Sequence, residues 1–399
     1  MTLYFTFQLS QFLYPFFIKR LLKKLNPVKK FNIHYITYQT FPAETANSQQ
    51  TISNIKYLVK NNCKVSLIFP LREKESSDSI DKIKNFYGVN ESFKVIGISH
   101  NLPFGKVKFF NKIAFHISHY LWSKKTIKKY YSDSSVDDIF ITRSDWIFYF
   151  LLKNNKKVIF ECHQLSKIRK IILKSSLKNK KAKIIFLNNK LKDSFISSTT
   201  DRNSIVLQNG VDLEFFNNLK EKKKEVVFVG NLKRFNKERN IKFIINGFLG
   251  SDLSNSYKLK IIGGPNETAR KLAIKINKIS NVTNIEVLGR LGRKETIEHL
   301  EKAEIGIMIN SSENKHSLLY TSPLKYFEYL ASNIKIVAVD FPSHRDLPYS
   351  ENISFFNENN LDTLINSLNE ISKKSPTKLD KSTISLDYRA KKIKEFIAI

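Results

Sequence analysis

The sequence predicts an α/β protein of two doubly wound, Rossmann-like domains facing a central cleft, and three observations predict it. The second half alternates short apolar runs with stretches of helical period, in steps of roughly 25 residues, the signature of parallel strands joined by crossover helices. Three of those runs end in glycine, at the carboxyl edge where such sheets take ligands. The chain has 399 residues, too many for one ordinary core and enough for two.

The elements follow in order. Residues 3–18 are apolar and aromatic, but Thr6, Gln8, Ser10, Gln11 and Pro15 interrupt them. A bilayer span needs about 20 apolar residues, so this run is short. Lys19, Arg20, Lys23 and Lys24 come after the apolar part and no small-residue cleavage site follows, which speaks against a secretory signal. Residues 1–30 are expected to form a basic, aromatic interfacial helix; the bland alternative is a first helix packed on the protein itself. A first domain spans 31–208, with strands at 31–37, 64–69, 139–142, 157–160 and 183–186 and a helix at 49–61. Residues 101–131 are aromatic, basic and helical in period. A linker is expected at 209–224, where Asn209-Gly210 is a turn signal and 220–224 a charged run. The second domain, 225–380, carries the runs at 226–230, 258–264, 285–289, 305–309 and 334–339. Residues 381–399 end in an amphipathic helix, with Tyr388, Ile393 and Phe396 on one side, expected to pack back on the first domain.

Composition narrows the partners. The net charge of +31, from 67 basic and 36 acidic residues, implies attraction to something anionic. An anionic membrane surface and phosphorylated substrates fit. The lysines are spread over the chain, which dilutes the charge signal, and nucleic acid is the disfavoured partner. A basic belt at 167–174 and 178–183 could face lipid phosphates or be a solvated face. The two cysteines, Cys63 and Cys162, exclude a disulfide framework and a cysteine-rich metal site, and a reducing cytosol is the simplest compartment. No hydrolase triad and no Walker sequence appear.

The chemistry concentrates in Tyr320-Thr321-Ser322-Pro323-Leu324-Lys325-Tyr326-Phe327-Glu328-Tyr329-Leu330-Ala331. Ser before Pro reads as a helix start, with Ser322 capping free amides and Pro323 at the first helical position. The helix should run to Ser332, with Asn333 as a left-handed stop. Leu324, Phe327, Leu330 and Ala331 form the expected buried stripe, leaving Glu328 off it. Free amides at the helix start make an anion site, and Lys325 adds charge. Glu328 lies about 7.5 Å along the axis from Pro323, roughly the span from a pyrophosphate to its ribose. Taken alone, the segment reads more readily as an ordinary capped helix with a solvated glutamate.

The segment has company. Residues 322–331 match a common form of the donor-site motif of glycosyltransferase family four, and the chain resembles that family in several pieces that occur in its order. Val206-Leu207-Gln208-Asn209-Gly210-Val211-Asp212 resembles its interdomain turn, and Phe228-Val229-Gly230-Asn231-Leu232 its first phosphate loop. Val158-Ile159-Phe160-Glu161-Cys162-His163 resembles its valine-tyrosine-glutamate-x-histidine strand end. The resemblance implies the two-domain GT-B fold and retaining transfer from a nucleotide-sugar donor without a metal or other cofactor. It implies that Glu328 holds the ribose and Lys237 the phosphates. Backbone from Ser322 through Pro323 and Leu324 to Lys325 would cover the pyrophosphate, and Gly230 would let the chain pass close to it. His163 would reach the transferred sugar from the first domain.

Three positions depart from the family pattern. Its motif carries a second acid eight residues before the glutamate, where this chain has Tyr320. The arginine often found after the loop glycine is Asn231, for which Arg234 is the candidate substitute. Ala46-Asn47-Ser48 stands near the usual glycine pair of the first acceptor loop. The expectation is a cytoplasmic enzyme, peripheral on the inner face of the membrane, that moves a sugar to a surface glycan or lipid-linked acceptor such as lipopolysaccharide. The rivals are a nucleotide-sugar epimerase of the same fold and a basic lipid- or nucleic-acid-binding protein with a decayed donor site.

Overall fold

The computed structural model describes residues 30–100, 102, 111–132, 134–196, 203–216, 220–234, 237–278, 282–375 and 378–399; the expected interfacial helix at 1–30 lies almost wholly outside them. Two parallel sheets organise the chain. The first has seven strands in the order β3-β2-β1-β4-β5-β6-β7. These are β1 (Asn32–Ile36), β2 (Lys64–Leu71), β3 (Lys94–Ser99), β4 (Ile139–Thr142), β5 (Lys157–Cys162), β6 (Ala182–Phe186) and β7 (Ser204–Val206). The second has six, in the order β12-β11-β8-β13-β14-β15. They are β8 (Lys223–Val229), β11 (Lys258–Ile262), β12 (Ile285–Gly289), β13 (Ala303–Met308), β14 (Lys335–Val339) and β15 (Ser354–Phe356). A small antiparallel pair, β9 (Lys233–Arg234) and β10 (Lys237–Glu238), stands apart.

Both sheets are covered on both faces, which is why their strands read as continuous apolar runs. In β1 the side chains alternate between two cores: Ile33 and Tyr35 join one layer and Ile36 the other. The second sheet is clamped the same way, with Val226 and Phe228 on one face and Val227 and Val229 on the other.

The chain crosses between the sheets twice, and the two crossings touch. Val211 N donates to Ile384 O at 2.9 Å and Leu386 N to Val211 O at 2.9 Å. Asn209-Gly210 is therefore not the turn its sequence suggested but extended chain, and Gly210 has no positive φ. A side chain there would stand 3.0 Å from the carbonyl oxygens of Ile384 and Ser385, so glycine permits a close approach of two strands of chain. Just beyond, the buried Asp212 carboxylate accepts from Lys56 Nζ at 2.7 Å and Tyr57 OH at 2.6 Å.

The final helix, Leu386–Ala398, packs on the first domain against the helix Ala46–Lys60. Leu386, Ala390, Ile393 and Phe396 face inward with Arg389. Tyr388 does not share that side: two residues from Leu386 and Ala390, it is turned to solvent by the 3.6-residue period.

Candidate active site

Strand order fixes where a site can form. In the first sheet the chain builds outward through β2 and β3, then returns to lay β4 beside β1. In the second it builds through β11 and β12, then returns to lay β13 beside β8. A doubly wound sheet opens a crevice at such a reversal, beyond the carboxyl ends of the strands. The two crevices face one another. Residues following β1 (Thr37, Tyr38), β4 (Arg143), β8 (Gly230, Asn231) and β13 (Ile309, Asn310) line one hollow of about 790 Å³. It adjoins a second hollow of about 1130 Å³ through shared walls at Gln50, Gly230, Leu324 and Lys325.

The second-domain wall is built on backbone. Gly263, at the end of β11, has φ 158°, and a Cβ there would lie 1.7 Å from Gly230 O. No other residue fits that contact, so the loops after β8 and β11 are pressed together and present main chain to the cleft. Gly230 itself abuts the Arg239 guanidinium, 2.8 Å from where a Cβ would stand. Leu324, Lys325 and Glu328 come from the helix Leu324–Ala331 and border the larger hollow with Gly264 and Arg290. Lys325 Nζ donates to Glu328 Oε2 at 2.6 Å, so one charge partly balances the other. The buried stripe is Tyr326, Phe327, Tyr329, Leu330 and Ala331, with Leu324 only half-buried. Asn333 takes the left-handed conformation, φ 55°, that ends the helix.

Ser322 does not cap that helix. Pro323 occupies the cap position, with no side-chain cap bond. Ser322 Oγ instead accepts from Asn209 N at 3.1 Å, and Asn209 Nδ2 donates to Ser322 O at 2.6 Å. The linker competes for the hydroxyl and wins, because its buried amide needs a partner. Ser322 thus ties the donor-side helix to the interdomain crossing.

Tyr320 is also displaced from its expected place. It borders neither hollow; its ring is buried in the first-domain core beside Phe186, Leu191 and Phe195. Its hydroxyl accepts from Ser194 Oγ at 3.1 Å. An acid in that dry patch would be costly, whereas an aromatic anchors the two domains. The backbones of Arg234 and Lys237 are paired across β9 and β10, directly after the Gly230 loop. Their side chains lie outside the described part of the structure.

The first-domain wall carries His163, one residue past β5. Burial and the nearby Arg143 guanidinium hold its imidazole well below the usual histidine range, so it is neutral at pH 7. Its Nε2 has no hydrogen-bond partner among the described residues. Beneath it lies Glu161, whose side chain is 1% exposed. Glu161 accepts from Tyr35 OH at 2.6 Å, Arg143 Nε at 2.9 Å and Arg389 Nη2 at 2.8 Å. Burial alone would raise its pKa; the two guanidinium groups outweigh that and hold it well below the usual carboxylate range.

Sequence reasoning missed Arg143 and Arg239 and gave Arg290 no role. Arg143 stands directly after the apolar run of β4, a strand-end position that could have drawn notice. Its Nη1 donates to Gln50 at 3.1 Å, while Nη2 is buried without a partner among the described residues. Arg290 reaches across to Glu44 at 3.5 Å, an exposed pair bridging the rims of the cleft. Ala46-Asn47-Ser48 also reads differently. It is the first turn of the helix Ala46–Lys60, capped by Thr45, whose side chain accepts from Ser48 N. No group of three or more metal-ligating side chains gathers among the described residues.

Residues 223–376 match the family described as Glycosyl transferases group 1. No curated protein matches the chain in sequence. Solved structures share the fold. Sucrose-phosphate synthase from Thermosynechococcus elongatus superposes with a TM-score of 0.60 at 13% identity, covering 92% of this chain and 94% of that one. A glycosyltransferase from Rickettsia africae ESF-5 gives 0.61 at 15%, covering 92% and 98%. The trehalose-6-phosphate protein from E. coli, bound with UDP-2-fluoro glucose, gives 0.61 at 9%, covering 92% and 99%. At such identities the likeness is one of fold, and the fold is GT-B.

Proposed function

We propose that the chain, whose residues 223–376 match the family described as Glycosyl transferases group 1, moves a hexosyl group from a nucleoside-diphosphate sugar to a hydroxyl of a surface glycan or lipid-linked acceptor, with retention, in the cytoplasm at the membrane's inner face. The observation that carries this reading is the pair of facing crevices. One wall is glycine-pressed backbone plus Glu328, suited to a diphosphate and its ribose; the other is a neutral imidazole held over a buried ion network.

The residues divide the work by chemistry. Glu328 would accept from the ribose hydroxyls. Main chain just past Gly230 and Gly263, whose own amides donate to Ile262 and Gly289, and at the start of the helix Leu324–Ala331 would meet the diphosphate, with Lys325, Lys237 and Arg239 supplying positive charge as the leaving group departs. That assignment needs no metal. The acceptor hydroxyl would attack the anomeric carbon as its bond to the diphosphate oxygen breaks, and its proton would pass to the departing phosphate. His163, neutral and with its Nε2 unpartnered among the described residues, would hydrogen-bond a hydroxyl of the transferred sugar. Closure of the two domains would exclude water.

The test is a thermal-shift panel of nucleoside diphosphates, followed by labelled nucleotide-sugars with and without acceptor extract. Stabilisation by one diphosphate, with acceptor-dependent release of that diphosphate, is the expected result. Epimer formation without acceptor would replace transfer by isomerisation. Binding of lipid or nucleic acid with no response to any nucleotide would mark a decayed donor site. Within the expected result, His163→Ala should lower kcat on the order of a hundredfold while leaving the nucleotide-induced shift in place.

A further inference from the structure

We propose that the outer face of three first-domain helices docks the protein on an anionic lipid bilayer beside the mouth of the cleft; this rests on the reading that the acceptor is lipid-borne. The helices are Asn111–Thr126, Asp145–Lys153 and Lys167–Ser176. All three pack on one face of the first sheet, through Trp122, Phe148 and Leu173, so their solvent sides look the same way. Tyr120 meets Trp146 and Phe150 at ring distances of 5.1 Å, and Arg169 Nε holds Asp145 at 2.7 Å. The three therefore move as one plate.

Two features of that plate point to lipid. First, Ile113, Ile117 and Leu121 recur at intervals of four and are 58%, 50% and 47% exposed, a bare aliphatic ridge along one helix. Ile171, on the third helix, is 70% exposed. Second, the ridge runs into exposed Lys124, Lys125 and Lys128, and Ile171 sits among exposed Lys167, Lys170 and Lys174. Residues 113–131, 146–156 and 163–181 contain no Asp or Glu, and Asp145 is consumed by Arg169. Aliphatic side chains ringed by cations of one sign match the boundary between acyl chains and anionic headgroups. Nucleic acid would use the lysines and leave the ridge in water. Among the described residues no helix is long and apolar enough to cross a membrane, so the contact is interfacial.

The plate also borders the site. The same helices supply Phe115, His116, His119 and Arg169 to the cleft wall. A bilayer on their outer face would therefore lie next to the cleft, within reach of a lipid-borne acceptor.

Flotation of the full chain with phosphatidylcholine vesicles, with and without phosphatidylglycerol, tests this. Binding should require phosphatidylglycerol and weaken with salt. The triple change Lys167→Gln, Lys170→Gln, Lys174→Gln should weaken it about a hundredfold. Ile113→Ser with Ile117→Ser and Leu121→Ser should weaken it on the order of tenfold. Both variants change exposed residues only and should keep the nucleotide-induced thermal shift. Undiminished binding by both variants would overturn the proposal by placing the contact elsewhere in the chain. Equal binding to both vesicle types, or preferential capture of nucleic acid over anionic vesicles, would overturn it as well. Loss of every nucleotide response with these vesicle results intact would strike the donor-site reading and leave the docking face standing.

Discussion

Glu161→Ala will lower the free energy of unfolding by about 3–5 kcal/mol, the cost of leaving buried cations without their anion. The carboxylate sits between Arg143 and Arg389, and the Arg389 side chain is itself 2% exposed. Arg389 also donates from Nε to Gln208 O at 3.1 Å, so the network joins the cleft wall, the final helix and the start of the interdomain crossing. Urea unfolding of the variant measures the loss; a change under about 1 kcal/mol would show that the pair is solvated and idle. The same network predicts a pH dependence. The folded pKa of Glu161 is held below its unfolded value, so its contribution is full above the unfolded carboxylate range. It is lost as pH falls from about 4 toward the folded value. The stability gap between wild type and Glu161→Gln should therefore be widest near neutrality and shrink in acid. Activity should fall too, since His163 stands two residues along the same strand end.

What the sequence revealed and concealed follows from the range of the forces involved. Parallel strands buried on both faces announce themselves locally, so the runs at 226–230 and 258–264 could be read as β8 and β11 with their glycine ends. The role of Glu328 as a cleft residue rested on helical period, which is also local. Arg389 and Glu161 are 228 residues apart, and nothing in either neighbourhood marks them as partners. Tyr320 shows the same limit. Its motif position suggested the donor site, but burial in the first-domain core and the bond from Ser194 decide where it points. Ser322 failed as a cap for a related reason: the preference for Ser before Pro is a matter of tenths to about 2 kcal/mol, and a buried linker amide outbid it.

Glu328→Ala will reduce kcat/KM for the nucleotide-sugar on the order of a hundredfold, the loss of two charge-assisted hydrogen bonds at about 1.5 kcal/mol each. Thermal stability should barely change. The side chain of Glu328 is 18% exposed, its hydrogen-bonded partner is the more exposed Lys325, and such surface pairs contribute about 0–1 kcal/mol. That contrast separates a ligand-binding glutamate from a solvated one. Glu328→Gln, which keeps one acceptor, should fall between wild type and alanine. The decisive comparison uses the ligand as the second variable. A 2′,3′-dideoxy nucleoside diphosphate removes the hydroxyls that Glu328 would hold, so wild type should bind it more weakly than the parent nucleotide, and Glu328→Ala should bind the two alike. If the variant discriminates between them as strongly as wild type does, the ribose is held elsewhere. The helix Leu324–Ala331 would then serve the diphosphate through its amino end alone, with Glu328 acting only on Lys325.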